Sequence, residues 1–358
     1  MINCFQQSKR GQSGSLWTFL FFLAFVLTSC TGDEVIEPLP KDEAYRLDKP
    51  LGFPEITFDV TGNPVTVNGV ALGKKLFYEG KLSRNNTISC GFCHIQEYAF
   101  NHHGHTVSHG IDDRLGIRNA PPIQNMAFLK NYTWDGVGHN LDERSLVPIT
   151  TDFEMDSSLP EAVTKLNADT NYKKMFKAAF GDENITGERI LKAISQFMAT
   201  MISADSKYDR MKKGTELFSA EENQGMALFQ NKCAACHSGD LFTDESYRNT
   251  GMYYNPQFDD RGRYRVTLDW NDNMKFRVPS LRNVEYTAPY MHDGRFYSLE
   301  AVMNFYSENV ENQPNLDSLL KQNGHVGIPM TASEKQKIIT FLKTLSDKNF
   351  ITNLKFAE

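Results

Sequence analysis

Past residue 29 this chain has no apolar run long enough to cross a bilayer, which argues against an integral membrane domain. Basic residues are not in excess. The 38 Lys and Arg are outnumbered by 44 Asp and Glu, giving a formal net charge of −6. That balance carries no electrostatic footprint of a nucleic-acid binder. Tryptophan is scarce, with 3 in 358 residues. Cysteine is scarce too, with 6 in all. Each cysteine falls where it has its own explanation, so none remains to pair in a structural disulfide.

Four of the six lie in Cys90-Gly91-Phe92-Cys93-His94 and Cys233-Ala234-Ala235-Cys236-His237. In a C-x-x-C-H motif two thiols add to the vinyl groups of one haem, and the following histidine is held beneath its iron. Two such motifs, far apart in the chain, point to two covalently bound haems c in two lobes. The competing readings are a zinc site or two local disulfides. A zinc ribbon sets its Cys pairs roughly 15–20 residues apart, far closer than here.

The other two cysteines sit at the N-terminus. Lys9 and Arg10 precede an apolar stretch, Leu16 to Leu27, and then Leu27-Thr28-Ser29-Cys30. The stretch is short for a span and reads as an export signal over 1–29. The tetrapeptide resembles the lipobox of bacterial lipoproteins, which implies acylation of Cys30 and loss of Cys4 with the signal. Residues 30–50, with Asp33, Glu34, Pro38 and Pro40, are expected to form a polar tether. The expected location is therefore the periplasmic side of a bacterial membrane, held by a lipid anchor.

The rest reads as mainly helical with long loops. Ser158-Leu159-Pro160-Glu161 opens a helix, with proline early and glutamate at the capping position. Ile190, Leu191, Ile194, Phe197, Met198 and Met201 have helical spacing. Ser219-Ala220-Glu221-Glu222 and Thr331-Ala332-Ser333-Glu334 are capping boxes opening two more helices. A weak repeat links the halves: Leu72-Gly73-Lys74-Lys75-Leu76-Phe77 precedes the first haem motif and Gly225-Met226-Ala227-Leu228-Phe229 the second. The expected fold is mainly α, two cytochrome-c-like haem domains (51–205 and 206–358) packed around an interface.

Further blocks give the chain a specific resemblance. They are Ser89 with the first haem motif, Arg118-Asn119-Ala120-Pro121-Pro122, Trp134-Asp135-Gly136, Pro148, Glu154-Met155, Phe276 to Asn283, and Thr287 to Gly294. Over roughly residues 50–345 the chain resembles the bacterial di-haem cytochrome c peroxidases, including their MauG-like branch. The resemblance implies peroxide reduction at the Cys90/Cys93 haem, with electrons entering at the Cys233/Cys236 haem from a small donor such as cytochrome c or a cupredoxin. It makes Glu154 the distal acid–base group, Pro148 a wall of the same pocket, and Trp134 the indole between the haems. Asn119, with the carbonyls of Thr287 and Pro289, is implied to bind calcium, a hard cation suited to oxygen ligands. His292 is implied to lie at the second haem. A homodimer is a further possibility the family raises.

The sequence also departs from the peroxidase branch. There a loop histidine just past a Ser-x-Gly segment blocks the first haem until reduction. Here Ser108-His109-Gly110 is followed by Ile111, which cannot bind iron. His102, His103, His105 and His109 crowd that loop and read either as substitute ligands or as a solvated, flexible loop. At the second haem the branch has a methionine where this chain has Tyr306, as MauG-like proteins do. Phenolate ligation stabilises ferric iron. Met303, Met291 and Met330 are alternatives. The arginine expected after Trp-Asp-Gly is Val137, and a glutamine expected ten residues before Glu154 is Arg144. Two other functions stay open: a MauG-like oxidase acting through a high-valent iron state on a protein or organic substrate, and a non-enzymatic tethered electron carrier or haem-based sensor.

Overall fold

In the computed structural model the described residues are 42–358, except His139 and Asn323. The signal, Cys30 and most of the tether lie outside them. No described helix is long and apolar enough to cross a membrane.

The architecture is mainly helical, and among the described residues the strands form only two-residue antiparallel pairs, Tyr247–Arg248 with Phe276–Arg277 and Lys321–Gln322 with His325–Val326. Two hydrophobic cores mark two lobes. The first gathers Leu72, Leu76, Phe77, Phe100 and Phe197; the second gathers Phe229, Phe242, Ile338 and Phe341.

Each lobe is built on the same crossing. In the first, helix Val67–Phe77 packs on helix Gly187–Thr200. A methyl group on Gly73 would lie 1.8 Å from the Ala193 carbonyl oxygen, so only glycine permits that approach. In the second, helix Ala220–Lys232 packs on helix Ala332–Lys343, and a methyl on Gly225 would lie 2.1 Å from the Lys337 carbonyl oxygen. The faint repeat in the sequence is thus a repeated close helix crossing ahead of each haem motif. Ser219 and Thr331 each close a reciprocal capping box, with Glu222 and Glu334. Ser158 caps helix Leu159–Asn167 by accepting from the Glu161 N–H.

Two expected boundaries move. The tether was to run through residue 50, but the chain is already docked at Glu43: the Val67 N–H donates to the Glu43 carbonyl at 2.9 Å and the Tyr45 N–H to the Val65 carbonyl at 2.8 Å. Burial of Tyr45 and Leu47 against the first core drives this. The second domain was to run to residue 358, but Phe350 and Phe356 belong to the first core, edge-on to Phe100. The C-terminal segment therefore straps the lobes together.

A buried polar seam lies in the second lobe, and Gln124 of the first donates to its Arg282 carbonyl at 2.7 Å. Arg282 is fully buried and pairs with Asp209 through two contacts of 2.9 and 2.8 Å, while its Nε donates to the Asp240 carbonyl at 2.6 Å. Removing either member would strand a charge, which costs about 3–5 kcal/mol.

Candidate active site and haem cavities

The two C-x-x-C-H segments adopt one geometry. Cys90–Cys93 is a single helical turn, with the His94 N–H donating to the Cys90 carbonyl at 2.9 Å. The His237 N–H likewise donates to the Cys233 carbonyl at 3.0 Å. Both imidazoles are oriented through Nδ1, His94 to the Phe100 carbonyl at 2.8 Å and His237 to the Phe242 carbonyl at 3.1 Å. A donor Nδ1 fixes the tautomer that leaves Nε2 as a lone-pair donor, the arrangement a proximal iron ligand requires. Burial pulls His94 down to about 4, so it stays neutral and ready to ligate. None of the four cysteines joins a cluster of metal-ligating side chains among the described residues, which argues against the zinc reading.

Each motif opens on its own cavity. Cys90, Cys93 and His94 line one, together with Pro148, Glu154, Arg144, Val137 and Trp134. Cys233, Cys236 and His237 line the other, together with Tyr306, Met303, Met291, Met330 and His292. Pairs of thiols and an oriented imidazole in each wall are a donor set that fits haem c. Trp134 faces both cavities, as do Asn119 and Pro122. Its indole is buried, and Nε1 donates to the Asn119 carbonyl at 2.9 Å. The second lobe pins the same segment: the Arg277 N–H donates to the Trp134 carbonyl at 2.7 Å, and Arg263 to the Asp135 carbonyl at 3.0 Å.

Glu154 is half-buried in the first cavity, and burial raises its pKa above the usual carboxylate value while the Arg144 charge opposes the rise. Arg144 reaches the Val137 carbonyl at 3.2 Å. The cation missing at position 137 is thus restored to the same wall from a neighbouring turn. Sequence comparison position by position counted two departures; in space they offset one another.

His94 is the only histidine lining this cavity among the described residues. Ile111 is fully buried in the first core, outside the lining, and its N–H donates to the Glu154 carbonyl at 2.8 Å. In the histidine-rich loop His103 and His105 are exposed and His109 is half-buried, as a solvated loop would have them, but His102 is not. His102 is buried, and burial followed by neighbouring imidazoles pushes it down to about 3. His103 stacks on Tyr98 and contacts the Ala288 carbonyl at 3.1 Å.

In the second cavity Met303 and Tyr306 come from one face of helix Leu299–Glu308, so the geometry brings both within reach of the haem space. Burial, then the cysteines beside it, raise the Tyr306 phenol well above its ordinary value. His292 stacks on Phe276, with ring centroids 3.7 Å apart, and its carbonyl accepts the Asn119 N–H at 2.7 Å. Asn119, Thr287 and Pro289 are brought to the same wall. Beside them Asn101 is fully buried. Its Nδ2 donates to the Thr287 carbonyl at 2.8 Å and its Oδ1 has no hydrogen-bond partner. A buried oxygen without a donor, beside the Thr287 carbonyl, fits a cation site of oxygen ligands.

Sequence reasoning missed one tie at the interface. Arg118 bonds Asp260 of the second lobe through Nε at 2.6 Å and Nη2 at 2.7 Å, and Asp135 of the first at 2.5 Å. Its place beside Asn119 in the Arg-Asn-Ala-Pro-Pro block was the only signal.

Two lobes, each with a haem-attachment turn and a shared indole between their cavities, define a di-haem c-type cytochrome. Residues 67–217 match the family model described as di-haem cytochrome c peroxidase. The chain is 33% identical to the methylamine utilization protein MauG of Methylorubrum extorquens, over 90% of this chain and 91% of that one. It is 29% identical to the cytochrome c551 peroxidase of Pseudomonas aeruginosa, over 86% of each. A crystal structure of a MauG-like protein associated with microbial copper homeostasis superposes with a TM-score of 0.79, at 34% identity, covering 88% of this chain and 99% of that one. The chain belongs to the di-haem cytochrome c peroxidase family, and with it to oxidoreductases that carry two haems c and act on peroxide.

Proposed function

We propose that hydrogen peroxide is reduced to water in the Cys90/Cys93 cavity, with electrons delivered through the Cys233/Cys236 cavity from a small cytochrome or cupredoxin. The observation that carries this reading is Glu154 in the wall of the first cavity, half-buried and raised by burial. Bound haem supplies the iron and the electron-transfer chemistry. Glu154 would move the proton between the peroxide oxygens, taking it from one and giving it to the other, which leaves as water; the remaining oxygen would leave as a second water with two electrons from the reduced donor and two protons. The Arg144 charge opposes the pKa rise from burial and so favours the ionised, basic form. Pro148 closes the wall without offering a competing donor, since proline has no N–H. Trp134, bordering both cavities, is the relay. The test is steady-state turnover with peroxide and a reduced cytochrome, wild type against Glu154→Gln.

Around this core, Asn119 with the Thr287 and Pro289 carbonyls holds calcium, supported by the buried Asn101 oxygen beside them. Export and acylation at Cys30 would tether the enzyme on the periplasmic side of a membrane. A second reading, oxidation of a partner's side chain or an organic molecule, is favoured by one observation: Tyr306 lies in the second cavity, where it can ligate iron and stabilise its oxidised form.

A further inference from the structure

Outside both haem cavities, three imidazoles meet. One nitrogen from each of His102, His105 and His109 lies within 4.8 Å of the other two. Ring centroids are 4.4 Å apart for His102–His105 and His105–His109, and 4.8 Å for His102–His109. None of the three lines the first haem cavity. Among the described residues they are the only group of three or more such side chains placed to hold an ion.

Packing of three histidine rings alone explains this poorly. His102 is 2% exposed and its Nδ1 has no hydrogen-bond partner. A buried polar nitrogen left so costs about 1–3 kcal/mol. Gathering two further imidazoles beside it adds repulsion whenever two of them are protonated. A cation shared among the three would satisfy all of them.

The loop that presents them is fixed at each ligand. Asn101 bridges to Ile95 next to His102, and Asn119 Nδ2 donates to the His105 carbonyl at 3.0 Å. His109 bridges to Leu115. Such anchoring lowers the entropic cost of closing a ligand set. Imidazole nitrogens sit about 2.0–2.1 Å from zinc, which places three of them roughly 3.3 Å apart. Exposed His105 supplies the small rotation that brings the set inward.

We infer that His102, His105 and His109 form a binding site for one copper or zinc ion, separate from both haems. The ligand chemistry selects that class. Three neutral imidazoles with no carboxylate suit borderline cations and offer nothing to calcium or magnesium. Between them, copper is favoured by the ordinary affinity order of divalent ions. The ion would sit against the haem-attachment segment: Phe92, inside the first motif, packs edge-on to His109 at 5.3 Å and to His102 at 6.2 Å.

The test uses the holoprotein carrying both haems, stripped of loose metal with a chelator. Zinc is titrated by calorimetry and cupric ion by electron paramagnetic resonance. The expected result is one ion per chain, with nitrogen hyperfine structure on the copper signal. In His105→Asn/His109→Asn the affinity should fall at least on the order of a hundredfold, since even an outer-shell partner is worth 10–100-fold. His105→Asn alone, at an exposed position, should weaken binding in the same direction. His325→Asn, in an exposed hairpin, should leave it unchanged. No stoichiometric binding of either ion would overturn the site. So would equal binding by wild type and the double variant. A ferric spin-state change in the double variant without added metal would assign the loop to iron ligation and overturn it as well.

Discussion

The backbone N–H of Ile111 donates to the carbonyl oxygen of Glu154 at 2.8 Å. The loop position where the peroxidase branch keeps its blocking histidine is thereby fastened to the residue proposed to do the proton transfer. Gly110 reinforces the contact, because a methyl there would lie 2.3 Å from the same carbonyl. One stretch of chain therefore holds the backbone of Glu154 and puts an isoleucine where the peroxidase branch has a histidine.

Glu154→Gln keeps the size and removes the base. Turnover with peroxide is expected to fall about 10²–10⁴-fold, the usual worth of a positioned acid–base group. Haem content and the ferric optical spectrum should stay as in wild type, which separates lost catalysis from lost folding.

Arg144→Leu tests the relocated cation. Burial raises the pKa of Glu154 and Arg144 opposes the rise. A base works only when deprotonated, so activity is lost as pH falls through that pKa. Without Arg144 the pKa rises further, and the acid limb of the kcat/KM profile should move to higher pH. Arg144→Lys should restore it.

Trp134→Phe removes the shared indole while filling most of its space. Electron transfer between the haems should slow about tenfold, equivalent to ~1.4 kcal/mol of barrier. Stopped-flow reduction followed at each haem checks this. Unchanged kinetics would make Trp134 merely a packed core residue.

Gly225→Ala puts a methyl group 2.1 Å from the Lys337 carbonyl oxygen. The helices must part, at a cost of about 1–3 kcal/mol. A lower thermal midpoint with both haems still attached is expected.

Much of this was legible because the relevant signals are local. A haem motif is five adjacent residues, and the capping boxes of Ser219 and Thr331 need only a side chain three residues on. The family blocks pointed to Glu154 and Trp134, and both line the cavity that Cys90 and Cys93 open on. What stayed hidden depends on through-space proximity. Arg144 and Val137 look like two losses in a linear reading, yet they share one cavity wall. The return of Phe350 and Phe356 to the first core joins residues at opposite ends of the chain, and no periodicity records that. The three histidines looked like a polar loop because polar composition does not reveal that His102 is buried.

The proposed function expects the first haem to accept peroxide without prior reduction, since among the described residues no histidine other than His94 lines its cavity. Its most direct test is electron paramagnetic resonance of the fully ferric protein, before and immediately after one equivalent of hydrogen peroxide. A high-spin signal lost at once on addition is the expected result. Two low-spin haems that ignore peroxide until the protein is reduced would contradict it.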